Sequence, residues 1–98
     1  MNVTNNKCFD LMKKVEQEQQ LTYDEFIDLV RYGLEMQFCY EKRKFGITHF
    51  NGYEFYEWNK EECYQNYPTI EEFATQINID GILVKDVWDK ITKINFAD

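Results

Sequence analysis

Histidine, cysteine and glycine are all scarce in this chain, and no apolar run is long. His49 is the single histidine. It has neither a nucleophile nor a metal set around it in the sequence, so no catalytic residue is assigned. Cys8, Cys39 and Cys63 are odd in number and lack tandem spacing, which argues against a disulfide framework and fits a reducing cytosol. Their distances along the chain from His49 match no ordinary zinc-ligand pair, so they read as small buried hydrophobes. The four glycines are scattered and form no phosphate-cradling loop. No apolar stretch approaches bilayer-spanning length, and MNVTNNKCFD has no run suited to a secretory signal. The expectation is a cytoplasmic chain with no membrane contact, no metal and no cofactor.

Apolar residues and aromatic rings are plentiful. They make up 44% and 17% of the 98 residues, enough for one well-filled core and outside the range of disordered chains. The length suits one domain, residues 1–98. Charge is unevenly placed. Nine acids and two bases lie between Glu54 and Asp89, which accounts for the whole net charge of −7. Such a field repels nucleic acid and favours basic partners. The abundance of Asn, Lys, Ile and Tyr also suits an AT-rich genome.

Helical signals open the chain. Cys8, Leu11, Met12 and Val15 recur at helical spacing within residues 5–19. In LTYDEF, Thr22 and Glu25 form a capping box, and Leu21 and Phe26 occupy its staple positions. Gly33 suits the residue that ends this helix, which spans about 23–32. The period then changes to two, with Leu34, Met36, Phe38 and Tyr40 alternating with Glu35, Gln37, Cys39 and Glu41. This is a half-buried strand. EKRK connects it to a second strand, Phe45 to Phe50.

Asn51-Gly52 suits a two-residue type I′ turn. That turn sets Phe50 opposite Tyr53, His49 opposite Glu54, Ile47 opposite Tyr56 and Phe45 opposite Trp58. Phe45, Ile47, Tyr56 and Trp58 then share one face. Phe50, Tyr53 and Phe55 share the other, which a two-layer domain leaves open as an aromatic patch for self-association. NKEECYQNYP reads as a polar loop. Thr69 and Glu72 repeat the helix-start signal for a short helix to about Gln76, Asp80-Gly81 marks a turn, and Leu83, Val84, Val87, Trp88 and Ile91 mark a last helix. The fold class is α+β: a three-stranded antiparallel meander with helices packed on one face, in the order α-α-β-β-β-α-α. Phe26, Leu29, Phe38, Ile47, Tyr56, Phe73, Val87 and Trp88 are expected in the core.

Three constellations bear on function. His49 and Glu54 across a strand suit either a carboxylate-held base or a plain polar pair. Lys42, Arg43 and Lys44 suit a solvated, edge-protecting turn rather than a nucleic-acid patch. Glu54, Glu57, Glu61, Glu62, Glu71 and Glu72, interleaved with Tyr53, Tyr64 and Tyr67, suit either a solvated face or a docking surface in which carboxylates stand in for phosphate. Glu71 and Glu72 also suit the first turn of a helix, where the macrodipole favours negative charge.

TYDEFIDLV, GITHFNGYEFYEWN, PTIEEF and IDGILVKDVWDKI together resemble a type of small, mostly uncharacterised protein of low-GC Gram-positive bacteria and their phages, over roughly residues 22–94. Size and acidity also resemble phage-encoded inhibitors, including anti-CRISPR proteins that block Cas effectors. The resemblance implies a non-enzymatic inhibitor or accessory protein that binds a basic, nucleic-acid-handling protein, a Cas effector being one such target, without touching nucleic acid itself. Two alternatives stay open: a homodimeric or larger interaction module built on the exposed hairpin face, and an immunity protein against a basic toxin nuclease.

Overall fold

The computed structural model describes residues 3–97. It is an α+β fold with a five-stranded antiparallel sheet. Helices α1 (Val3–Glu16) and α2 (Tyr23–Arg31) precede strands β1 (Met36–Tyr40), β2 (Arg43–Thr48), β3 (Tyr53–Glu57) and β4 (Lys60–Tyr67). Helix α3 (Ile70–Gln76) leads into a small hairpin, β5 (Asn78–Ile79) and β6 (Ile82–Leu83). A 3₁₀ segment, Val84–Lys90, and strand β7 (Thr92–Phe96) complete the chain. The order across the large sheet is β4-β3-β2-β1-β7, so the last strand returns beside the first and leaves β4 and β7 as edges.

The capped helices form where their signals lie. Thr22 accepts the Glu25 amide while the Glu25 carboxylate accepts the Thr22 amide, so two orphan donors of α2 are satisfied together. Thr69 caps α3 by accepting the Glu72 amide. Phe26, Leu29 and Val30 of α2 are buried without remainder, and Phe26 meets Phe38 of β1 edge-on at 5.8 Å. Trp88 closes the centre, with rings of Tyr23, Phe26 and Phe38 around it and its indole N–H donated to the Leu21 carbonyl at 2.8 Å. The Tyr23 hydroxyl donates to the Ala74 carbonyl at 2.7 Å, which ties α2 to α3.

The central hairpin lies one residue away from the register that Asn-Gly predicts. Thr48 faces Glu54, Ile47 faces Phe55, Gly46 faces Tyr56 and Phe45 faces Glu57. Side chains alternate across a strand, so this single step exchanges the faces of β3. Phe55 is fully buried and stacks on Phe45 at 5.4 Å, whereas Tyr56, expected in the core, is half-exposed on the other face. The other expected core residues are buried. Only Gly52 of the Asn51-Gly52 pair takes positive φ (93°), and an added Cβ there would lie 2.8 Å from the Tyr67 carbonyl oxygen. Two-residue turns with both φ values positive occur instead at Glu41-Lys42 and Asp80-Gly81.

Three further differences follow from local physics. The polar segment expected as a loop is strand β4, an edge whose solvated positions need no apolar alternation. The last expected helix is a 3₁₀ segment: Leu83 offers no capping side chain, and Val87 leaves helical geometry at φ −118°, ψ 18°. TKINF adds β7, so the sheet has five strands rather than three.

The register can be read from stability. Phe55→Ala should cost about 3–5 kcal/mol, as expected for emptying a ring-sized core site. Tyr56→Ala should cost about 1 kcal/mol, the ordinary scale for a partly exposed position. Urea titrations giving equal costs, or the reverse order, would place the hairpin in the register that Asn-Gly favours.

Candidate functional site

The nominated carboxylates separate into two kinds. Glu54 and Glu57 are buried, 6% and 5% exposed, and both are engaged within the fold. Glu54 lies on the sheet face turned away from the helices. It accepts the Thr48 hydroxyl at 2.7 Å, the Phe50 amide at 3.0 Å and the Tyr64 hydroxyl. Burial pushes its carboxyl up, but hydrogen bonds from Tyr64, Thr48 and the Phe50 and Asn51 amides outweigh burial and hold it below the usual carboxylate range. It serves as a structural acceptor that closes the His49–Gly52 loop.

Glu57 points to the helix side at the end of β3. Arg43 grips it in fork geometry, Nε at 3.0 Å and Nη2 at 2.8 Å, and reaches Asp80 through Nη1 at 2.6 Å. Lys60 adds a contact at 3.6 Å. Arg43 lowers the Glu57 carboxyl below its ordinary value, against the opposing effect of burial. The clamp joins the sheet to the Asp80-Gly81 turn, so Glu57 also leaves the set of available acids.

Glu62 on β4 and Glu71 and Glu72 in the first turn of α3 are exposed. The side chain of Glu61 lies outside the described residues. Of the three tyrosines, Tyr53 and Tyr67 pack against Phe73 at 6.0 and 6.3 Å and serve the core margin. Tyr64 is 45% exposed. The structure therefore leaves Glu62, Tyr64, Glu71 and Glu72 exposed and takes Glu54, Glu57, Tyr53 and Tyr67 into the fold.

Phe50, Tyr53 and Phe55 do not form one face. Phe50 is 80% exposed at the loop tip, Tyr53 is half-buried and Phe55 lies in the core, because the register shift turned β3 over. His49 is not paired with Glu54 either; its Nε2 lies 3.1 Å from the Leu34 carbonyl and its ring meets Tyr53 edge-on. The basic run is also dispersed. Lys42 sits in a turn, Arg43 clamps Glu57, and the Lys44 ammonium lies 4.3 Å from the Trp58 ring centroid. Cys8, Cys39 and Cys63 are free thiols, each half-buried. Among the described residues no group of His, Cys, Asp and Glu is arranged to hold a metal ion, and no helix is long and apolar enough to cross a membrane.

Tyr56 and Trp58 are the surface residues that the sequence concealed. Both alternate with Phe55 and Glu57 on β3 and its turn, and both were assigned inward. With the register corrected they join Tyr64 on the face that carries no helix. The signal that could have found them is the Phe55–Glu57 alternation read against buried Phe45 and Ile47, with the turn left free.

Acid should unfold this protein through Glu54 and Glu57. Both have folded-state values below the ordinary 4.5, so the stability they contribute is complete above that value and is lost as pH falls through the lowered ones. Tm should be flat above about pH 5.5 and fall steeply below about pH 4.5. Glu54→Gln and Glu57→Gln should start lower at neutral pH and fall less on acidification. An unchanged acid slope in both variants would remove these carboxylates as the cause.

No family model, no curated protein and no solved structure matches this chain.

Proposed function

We propose that this is a non-enzymatic acidic binding protein that docks on a basic, nucleic-acid-handling protein and occupies part of its phosphate-binding surface, in the manner of a small phage or mobile-element inhibitor. The observation that carries this reading is the pairing of exposed acids with exposed rings along β4 and its two flanks: Glu62 on β4 and Glu71 and Glu72 on the helix after it are exposed, and Tyr64 on β4 and Trp58 in the turn before it are 45% and 42% exposed. Carboxylates give long-range attraction and register, while half-exposed aromatic rings give the area that becomes dry on contact. The net charge of −7 makes nucleic acid itself an unfavourable ligand and a basic groove a favourable one. A basic toxin nuclease presents the same chemistry as a Cas effector, so an immunity protein is a member of the same class.

Self-association is the second reading. It is favoured by Phe50, an 80% exposed ring at the tip of a loop whose backbone is fixed by Glu54.

The immobilised protein should capture from a low-GC Gram-positive lysate a nucleic-acid-binding protein that added duplex DNA releases. Raising salt from about 50 to 500 mM should also release it, because exposed charges are screened over about one Debye length. The triple variant Glu62→Lys, Glu71→Lys, Glu72→Lys should lose the capture while keeping its Tm within a few degrees. Recovery of the bait alone, with a mass of two copies that Phe50→Glu halves, would replace this reading with self-association.

A further inference from the structure

The uncovered sheet face contains an aromatic cleft that the fold does not use. Gly46 makes room for it: an added Cβ there would lie 2.6–3.0 Å from Tyr56 ring atoms and hydroxyl, so Tyr56 lies flat across the strand only because position 46 has no side chain. Tyr64 stands on the neighbouring strand with its hydroxyl donated to Glu54 and accepting the Asn66 amide at 3.2 Å. Tyr56 and Tyr64, with Glu57, Asn59 and Lys60, line an open cleft of about 430 Å³. Trp58 lies at the adjoining turn.

Three observations give this cleft a preference for cations. Trp58 already holds the chain's own Lys44 ammonium 4.3 Å from its ring centroid, so a cation–π contact is formed on this face. The Glu54 carboxylate lies at the hydroxyl end of Tyr64, and among the described residues its hydrogen bonds come from neutral donors: Thr48, Tyr64 and backbone amides. Its charge is spread but not cancelled. The Tyr56 hydroxyl, pushed up first by burial, is raised further by the negative charges of Glu35 and Glu54, which places both acids within electrostatic reach of the cleft floor. Among the described residues, Lys60 is the one cation lining the cleft, and its ammonium lies 3.6 Å from the Glu57 carboxylate.

We propose that the Tyr56–Tyr64 cleft is a receptor for the guanidinium of an arginine side chain presented by a basic protein segment. This inference rests on the acidic-docking reading above and names the contact at its centre. A guanidinium is planar and weakly hydrated, so it lies against a tyrosine face with little loss of hydration, while its edge donors turn toward the Tyr56 and Tyr64 hydroxyl oxygens. A lysine ammonium is a compact, strongly hydrated charge and gains less from flat rings. The cleft therefore discriminates between two side chains that an acidic surface alone would treat alike.

The test uses the intact, isotope-labelled protein at low ionic strength, titrated with a tetra-arginine peptide and separately with a tetra-lysine peptide, and read by NMR shifts and Trp58 fluorescence. Saturable shifts are expected at Tyr56, Trp58 and Tyr64, with arginine bound about threefold to tenfold more tightly than lysine. Tyr64→Phe, which keeps the ring and loses the Glu54 bond, should retain most of the binding. Tyr64→Leu should lose the arginine preference, and a merely structural role for Tyr64 would instead make both variants fail alike. Lys44→Met, which removes the resident cation, should tighten arginine binding. Shifts confined to Glu62, Glu71 and Glu72 with equal affinity for the two peptides would overturn the cleft and leave the acidic-docking reading standing. Absence of any peptide-dependent shift would overturn the cleft, while the capture experiment judges the docking reading separately. Shifts that follow protein concentration rather than peptide would overturn it in favour of self-association.

Discussion

Beneath the His49–Gly52 loop, the Glu54 carboxylate takes hydrogen bonds from both neighbouring strands and from the loop between two of them. Thr48 supplies a donor from β2, Tyr64 one from β4, and Phe50 one from the turn. The rest of the sheet depends on this arrangement. If Glu54 stood opposite His49, it would share a face with Ile47 and press a charge toward the helices, while Phe55 would turn to water. Burying an ion without donors costs far more than a turn preference can supply. The observed register puts Phe55 against Phe45 and gives the carboxylate its own set of donors on the outer side. The longer loop is the consequence: five residues separate the paired Thr48 and Glu54, and the chain closes around an acceptor rather than around a tight Asn-Gly turn.

The same register creates a second charged site on the inner side, since Glu57 follows Phe55 at the next inward position. Arg43 lies on the same face of β2 and resolves it, and its remaining donors hold Asp80. One guanidinium thereby anchors a small hairpin that has only two ladder pairs of its own. Two-residue strands are marginal alone, so the clamp and the Gln65 bonds to Asn78 fix its position. Much of the acidity that looked like surface in the sequence is therefore architecture.

Legibility followed the range of the signal. Capping box, staple and cap pairs act within a few residues, and α2 and α3 were readable from Thr22, Glu25, Thr69 and Glu72 alone. The α+β class and most of the core followed from periodicity in β1 and α2. The hairpin register was not local: it depended on Glu54 finding Tyr64 ten residues on, and Asn51-Gly52 offered a competing local answer. Strand β4 was concealed because an edge strand with one solvated face and a bulge has little apolar alternation to show. Strand β7 depends on pairing with β1, more than fifty residues away, including a shift at Lys93, which takes φ 54°. The candidate surface inherited these errors. Exposed Glu62, Glu71, Glu72 and Tyr64 were legible as charge and composition. Tyr56 and Trp58 were not, because facing outward is a property of the register.

Removing Glu54, Glu57 and Asp80 from the list of free acids does not remove their field. Glu57 and Asp80 share the single charge of Arg43, with Lys60 reaching Glu57 at the rim. Glu54 is bonded only to neutral donors among the described residues and lies under low-dielectric side chains, where screening by water and salt is weaker than at an exposed carboxylate. A buried acid bonded only to neutral donors at the hydroxyl end of a tyrosine attracts cations over a short range and over a fixed area. The exposed acids of β4 and α3 attract them over a longer range with less direction. In the docking proposed above, the two would act in sequence: the outer carboxylates would bring a basic surface near, and the rings beside Glu54 would select which of its side chains is held.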